Sequence, residues 1–367
     1  MKAPIRVLFA LPGLHRVVRG AEVAFESIAF ELARAGRFDV TLIGSGRPRP
    51  GAGYRFLHAG CRPRERFEGW PTFPIFRSEN VYEEFTFLPG FLRRFVPSRY
   101  DAVVTCSYPF LNWAVRARRA GGARPIHLFV TQNGDWPLRR SGSEYAWFGC
   151  DAAVCINPEH YEAHAGKWPL RLIPNGVDCA QFHPGSPERT RFGLPPGRPV
   201  VLMVSALIPS KRVLEGIRAV AQVPDAHLVV AGDGPLRDAA EHEARAAMPG
   251  RFHRLAVARA DMPALYRSAD AFLHMSMDEP FGIVYLEALA SGLPVVAHDR
   301  RVTRWTLDRY GTFVDTQDLP AVARAVRGAV ADRVDPAGPA AYARARFSWS
   351  SIAAEYGAFI SEQVGRR

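Results

Sequence analysis

Short β-branched apolar runs alternate with helix-patterned segments from one end of this 367-residue chain to the other. Few architectures tolerate that rhythm. "IRVLFALPG" (5–13) reads as a strand ending in a Gly turn. "EVAFESIAFELARAG" (22–36) repeats apolar residues at 25, 28, 29 and 32 and stops at a Gly, as an amphipathic helix does. "DVTLIGSG" (39–46), "YDAVVTCSYP" (100–109), "PIHLFVTQNG" (125–134) and "CDAAVCINP" (150–158) supply further strands. A Pro- and Gly-dense stretch, "PNGVDCAQFHPGSPERTRFGLPPGRP" (174–199), reads as a linker. A second series follows it: strands "VVLMVSALIP", "AHLVVAGDG", "AFLHMSM" and "PVVAHD", and helices "VLEGIRAVAQV", "DMPALYRSAD" and "FGIVYLEALASG". Strand–helix alternation at this spacing means βαβ units and parallel sheets, so the fold class is α/β with two doubly wound domains in tandem. Ligands bind such sheets beyond the carboxyl ends of the strands, which makes a cleft between the two domains the natural site.

Composition excludes several alternatives. Hydrophobic residues make up 48% of the chain, enough for sizeable cores. The longest apolar stretches fall short of the roughly 18 to 20 residues of a membrane span. The start, "MKAPIRVLFALPG", has an Arg inside its apolar run and reads as a first strand rather than a signal peptide. Cysteines at 61, 106, 150, 155 and 179 are odd in number, with no Cys-x-x-Cys, which fits a reduced cytoplasmic interior rather than disulfides or structural zinc. Of the net charge of +11, most lies early: up to residue 175 there are 24 Lys and Arg against 15 Asp and Glu. Only Lys2, Lys167 and Lys211 are lysine, so an arginine-biased solvated surface fits as well as an anionic partner. If a partner, it is a membrane surface or an acidic acceptor; no nucleic-acid motif accompanies the charge.

"EPFGIVYLE" (279–287) places acids at both ends of a segment that otherwise wants burial. It follows a strand, and a helix is expected to begin near Phe281, with Pro280 in its first turn. Gly282 lets a ligand approach the backbone, and the free N–H groups suit an anion or sugar hydroxyls. Glu279 would sit at the cleft mouth and Glu287 two turns in, flanked by Leu286 and Ala288. A dipole-complementing Glu279 and a surface Glu287 are the plain alternative, though an unpartnered buried acid is costly. Turns fall at other strand ends: "AGDGPL" (231–236), "ALIPSKR" (206–212) with Lys211, "IPNGVD" (173–178) and "PGLHRVVRGAE" (12–22). Each alone is ordinary turn chemistry; their order is not.

Together these pieces resemble the retaining glycosyltransferases of family four, with the GT-B fold of two tandem Rossmann-like domains. The resemblance rests on Gly20-Ala21-Glu22, "PNGVD", "SALIPSKR", "GDGPL", "ADAFLHMSMDEPFGIVYLEALASGLPVVA" and "FSW" (347–349), which span almost the whole chain. It implies an acceptor domain at 1–180, rejoined by a C-terminal helix at about 352–367, and a nucleotide-sugar donor domain at 181–351. It implies a hexosyltransferase activity for a polysaccharide or glycoconjugate pathway, acting on a glycan, lipid-linked or small-molecule acceptor. In donor binding, Glu287 would hold ribose hydroxyls and the N–H groups of Phe281, Gly282 and Ile283 would meet sugar or phosphate. Glu279 and Lys211 would be catalytic, at the donor sugar and at the leaving diphosphate. Gly20 would close on the phosphate, and Gly232, Gly234 and Pro235 would border the base. No cofactor and no metal are expected, since the chain has no Asp-x-Asp. The family's usual Arg on the diphosphate is replaced by Ala206, so Arg212, Arg19 or Arg16 would substitute. The usual donor-side His is also missing beside Cys106 and Ser107. His127 reads as core. His15, Arg16, Tyr108, Asn133 and Asp135 are the acceptor-side candidates. A cytoplasmic enzyme is expected, with an anionic membrane's inner face as one candidate partner and no nucleic acid. A GT-B epimerase or phosphorylase, or a GT-B protein that binds without turnover, stay open. A dinucleotide-dependent dehydrogenase would need Gly-x-Gly-x-x-Gly after a first strand, and neither half has it.

Overall fold

A computed structural model describes residues 3–117, 124–139, 142–332 and 335–366. The chain divides into two compact units, Met1–Asn175 with Trp349–Arg367, and Gly176–Ser348.

The first unit runs β1 (Ile5–Ala10), α1 (Gly20–Arg34), β2 (Phe38–Gly44), β3 (Arg55–His58), α2 (Glu79–Arg94), β4 (Ala102–Thr105), α3 (Phe110–Arg116), β5 (Ile126–Val130), β6 (Ala152–Cys155), α4 (Pro158–His164) and β7 (Leu170–Leu172). Its sheet has the order β3-β2-β1-β4-β5-β6-β7. Every pairing is parallel, with Val7 of β1 opposite Val40 on one side and Ala102 on the other. Leu8, Ala10, Ile43 and Val103 pack under Phe87, Phe91 and Phe95. Strands buried on both faces explain why these runs read as continuous apolar stretches rather than alternating ones.

The second unit runs β8 (Val200–Val204), α5 (Val213–Ala221), β9 (His227–Ala231), α6 (Arg237–Ala247), β10 (Phe252–Leu255), α7 (Met262–Arg267), β11 (Ala271–His274), α8 (Ile283–Ala290), β12 (Val295–His298), α9 (Arg301–Leu307), β13 (Gly311–Val314), α10 (Leu319–Ala331) and α11 (Ala337–Phe347). The sheet order is β10-β9-β8-β11-β12-β13, again wholly parallel. Counted within the unit, that is the Rossmann order 3-2-1-4-5-6. Val201, Met203, Leu273 and Val296 of the sheet pack with Ile217 and Val220 of α5 and Val322 and Val326 of α10. The chain then returns to the first unit through α12 (Trp349–Gly365). Gly357 of α12 lies where a Cβ would stand 3.0 Å from Phe38 and 3.1 Å from Leu32. Arg171 holds the far turn of α12 through Glu362 at 2.6 Å.

Two segments differ from the sequence expectation. The Pro/Gly stretch from residue 176 onward is part of the second unit rather than a tether. The Val177 N–H donates to the Phe347 carbonyl at 2.8 Å, Phe182 meets Tyr266 edge-on, and Arg189 reaches Asp270 at 2.6 Å. The unit boundary accordingly lies at Asn175/Gly176, and the return at Trp349. Helix α8 starts at Ile283, two residues after Phe281, because Gly282 takes φ 76°, ψ 79°, outside the helical region.

Candidate functional site

In both sheets the strand order reverses beside the first strand, between β1 and β4 and between β8 and β11. That reversal leaves a crevice beyond the carboxyl ends of the two central strands, where loops diverge to opposite faces. In the second unit the loop after β8 carries Lys211 and the loop after β11 carries Glu279. Their side chains meet as an ion pair, Lys211 Nζ on Glu279 Oε2. His274, the last residue of β11, is buried, and its Nε2 lies 3.3 Å from the same oxygen. Burial would raise the Glu279 carboxyl; the His274 contact and the Lys211 charge outweigh it and hold it down at about 2. Glu279 is therefore an anion at any neutral pH.

Four residues on, α8 begins at Ile283 without a side-chain cap. The Tyr285 N–H turns back to the Gly282 carbonyl at 3.0 Å, and the N–H groups of Ile283 and Val284, at the positive end of the dipole, are left for a ligand. Gly282 is dictated by crowding as well as by its left-handed φ, since a Cβ there would stand 2.6 Å from the Tyr285 ring and 3.0 Å from Glu279 Cγ. Phe281 anchors the loop, buried edge-on against Trp305 and Phe347.

Glu287 is buried inside α8, but it is not idle. Arg259 Nη1 lies 2.5 Å from Glu287 Oε1, and the Tyr266 hydroxyl donates to Oε2 at 2.9 Å. Burial pushes this carboxyl above its ordinary range, with Arg259 and Tyr266 pulling against the shift. Arg259 also lies over the Phe182 ring at 5.1 Å. Gly232 and Gly234 let the turn after β9 cross the turn after β8: a Cβ would stand 1.9 Å from the Ser205 carbonyl oxygen and 2.6 Å from that of Leu207. Pro235, next in that turn, is exposed. Arg212, offered as a stand-in for the arginine missing at Ala206, turns its guanidinium to Met277 Sδ at 2.8 Å and the Thr316 carbonyl at 3.3 Å.

In the first unit, the loop after β1 holds His15 and Arg16 and leads to Gly20 at the first position of α1. His15 is tied at its backbone N–H and at both ring nitrogens. Its N–H donates to Glu26 at 2.9 Å, Nδ1 lies 2.8 Å from the Arg47 carbonyl, and Nε2 lies 2.9 Å from the Tyr54 hydroxyl. Its ring stacks on Phe56. It shapes the loop rather than standing ready for a ligand. Arg16 pairs with Glu83, and Arg19 with Glu65 at 2.7 Å and Glu83 at 3.5 Å, so neither is a bare cation. Tyr108, before cis Pro109, is buried among Trp113, Trp136, Tyr145 and Phe148, and its hydroxyl donates to the Glu144 carbonyl. Asn133 Nδ2 reaches the Cys106 carbonyl at 3.4 Å. Asp135 is buried and held by His164 at 2.9 Å and Arg139 at 3.2 Å. His127 is core, bonded to Thr105 Oγ1 and pushed down to about 3, chiefly by burial.

The family model of the glycosyl transferases group 1 matches residues 186–346, and that of glycosyltransferase family 4 matches residues 18–181. The chain belongs to the family 4, group 1 glycosyltransferases. A GDP-mannose-dependent alpha-(1-6)-phosphatidylinositol monomannoside mannosyltransferase of Mycobacterium tuberculosis is 30% identical over 69% of this chain and 73% of its own length. A lipopolysaccharide core biosynthesis glycosyltransferase of Rhizobium meliloti is 29% identical over 60% of this chain. The match spans 65% of the length of that relative, somewhat less than two thirds. Among solved structures, Anabaena HepE in complex with UDP and glucose superposes with a TM-score of 0.72 at 19% identity, covering 98% of this chain and 100% of that one. The GT-B fold follows from this likeness.

Within this glycosyltransferase fold, the sequence motifs bring Lys211, Glu279, Phe281, Gly282 and Ile283 to one switch point. Sequence reasoning missed His274, Arg259 and Tyr266. A Tyr at a buried helical position signals a hydroxyl in need of a partner, and a His at the end of a strand signals a side chain at the site's rim. Neither signal names the partner.

Proposed function

We propose that this chain is a retaining, nucleotide-sugar-dependent hexosyltransferase. It moves a sugar from a nucleotide-diphosphate donor held by the second unit to an acceptor held by the first. The observation that carries the reading is the Lys211–Glu279–His274 cluster beside the uncapped start of α8, at the switch point of the second sheet. The UDP and glucose of the Anabaena neighbour and the GDP-mannose of the mycobacterial relative support a nucleotide sugar as donor.

In this reading the bond from the sugar's anomeric carbon to the diphosphate breaks, and its electron pair goes to the phosphate oxygen. Lys211 and the α8 N–H groups neutralise that charge. Lys211 exchanges Glu279 for phosphate, which releases a carboxylate to accept the sugar's hydroxyls. The acceptor oxygen bonds on the face just vacated, and its proton passes to the leaving phosphate. Glu287 accepts the ribose hydroxyls, since each of its oxygens keeps a lone pair beyond Arg259 and Tyr266. Such charged hydrogen bonds contribute about 1.5–3 kcal/mol each. No step calls for a metal. Gly20, at the start of α1, is the first unit's proposed phosphate contact. The acceptor is a glycan, a lipid-linked sugar or a small molecule, and the basic first unit works at the cytoplasmic face of an anionic membrane.

The test is a thermal-shift panel of UDP, GDP, TDP and ADP, free and as sugar conjugates, with and without EDTA. One nucleotide should raise the midpoint of the wild type, ignore EDTA, and lose its effect in Lys211→Ala and Glu287→Ala. At 100 times its dissociation constant it stabilises by about 2.7 kcal/mol. If no nucleotide shifts the wild type, the donor reading falls and a role without turnover replaces it. With the donor in hand, proton NMR of fresh product should show the donor's anomeric configuration; the opposite anomer would sink retention.

A further inference from the structure

Arg259 stands beyond the carboxyl end of β10, in the loop that leads to α7. Its guanidinium is fixed on two sides. Nη1 pairs with Glu287 Oε1 at 2.5 Å, and the Phe182 ring lies against it, 5.1 Å from the guanidinium carbon. Phe182 in turn meets Tyr266 edge-on at 5.6 Å, and the Tyr266 hydroxyl donates to the other oxygen of Glu287. The contacts close into a circuit: Glu287, Arg259, Phe182, Tyr266 and back to Glu287.

Glu287, Phe182 and Tyr266 are buried. Arg259 is the member of the circuit that faces solvent, with 43% of its side chain exposed. Among the described residues its guanidinium has no hydrogen-bond or ion-pair partner besides Glu287. Neutralising Glu287 calls for a charge and not for a plane, so a lysine would do that work. Here a carboxylate holds the edge of the plane and an aromatic ring backs one side, which leaves the other side open. A guanidinium held in this way has already given up its rotamer freedom. The place also suits a ligand. In the sheet order β10-β9-β8, the β9 turn of Gly232 and Gly234 lies between the β8 loop with Lys211 and the β10 loop with Arg259.

We propose that the open side of the Arg259 guanidinium is the surface on which the base of the donor nucleotide stacks. The inference rests on the reading of Glu287 as the ribose ligand and adds the side chain that takes the base. The base is bonded to the ribose whose hydroxyls Glu287 accepts, so it lies beside the partners of Glu287. Of those partners Tyr266 is buried, and Arg259 has surface to offer. A guanidinium is planar, delocalised and weakly hydrated, and it stacks on the π-face of any base. One residue then makes two contacts: its edge holds the carboxylate that takes the ribose, and its face takes the base.

Isothermal titration calorimetry of the full chain tests it, with UDP, GDP and ADP, their 2′,3′-dideoxy forms, and ribose 5-diphosphate, which has no base. Whichever nucleotide the wild type binds should bind Arg259→Leu about tenfold more weakly. A loss of that size should persist on the dideoxy form, where Glu287 has no hydroxyl to accept. Arg259→Lys keeps a cation beside Glu287 and loses the plane. It should lose about the same factor on both nucleotide forms and match the wild type on ribose 5-diphosphate. Its ligand-free melting midpoint should stay at the wild-type value, so it carries the test if Arg259→Leu does not fold. A loss in Arg259→Leu that vanishes on the dideoxy form would make Arg259 a prop for Glu287 and overturn the stacking. Arg259→Lys that binds every ligand as the wild type does, or that weakens the baseless ligand as much as the nucleotide, overturns it too. Wild type that binds no nucleotide overturns the donor reading and this proposal together. Wild type that binds the parent and dideoxy forms equally, while Arg259→Lys weakens both, takes the ribose from Glu287 and upholds the stacking.

Discussion

Gly282 joins a left-handed backbone to a space that a Cβ would overfill, with the Tyr285 ring 2.6 Å away. Gly282→Ala should cost about 1–3 kcal/mol of stability and abolish the nucleotide-induced midpoint shift, because the first turn of α8 must move to relieve the clash. Urea unfolding and the thermal-shift panel check this; a variant that kept both would show the α8 start to be irrelevant to the donor. At this scale the sequence was most readable where one residue type has one physical use. A glycine before a helix and a lysine in a strand-end turn name themselves. Glu287 was readable as an acid that must have a partner, but Arg259 and Tyr266, its partners in the fold, lie 28 and 21 residues away in sequence. Pairing across that distance has no local signature.

Helix α2 carries an acid that the site does not use. Glu84 is buried on its inner side and accepts the Leu111 N–H in the first turn of α3 at 2.6 Å. Burial lifts its carboxyl to about 8, with the Leu111 and Phe110 N–H groups opposing. The folded value lies above the ordinary one, near 4.5. Its contribution to stability is therefore complete below about pH 4.5 and is lost as pH rises through about 8. Urea midpoints of the wild type should fall between pH 5 and pH 9 by more than those of Glu84→Gln; parallel slopes would show Glu84 to be ionised throughout. Elements themselves were legible from periodicity, and boundaries were not. The "AFLHMSM" strand ends at His274 and α8 starts at Ile283, because ladder pairing and a left-handed glycine, rather than hydrophobicity, stop an element.

For the molecule as a whole, the chain leaves the first unit at Asn175 and returns to it at Trp349. Helix α12 then seals the face formed by Leu32 and Phe38. Gly357→Leu should overpack that contact at a cost of about 1–3 kcal/mol. Calorimetry should show one unfolding transition lowered and the nucleotide-responsive one unmoved; a common drop in both would mean that the units melt as one. The order of strands, helices and turns was fixed by the sequence, because period, glycine and proline act over a few residues: two doubly wound α/β units and the motif at residues 279–287 follow from it. Only the tertiary structure decided that Lys211 and His274 share one oxygen of Glu279, that Arg259 and Tyr266 hold Glu287, and that Arg16, Arg19 and Arg212 are already engaged. Those choices depend on which strand ends a parallel sheet brings side by side and on how burial makes each charge find a partner, and both are set by contacts between residues far apart in the chain.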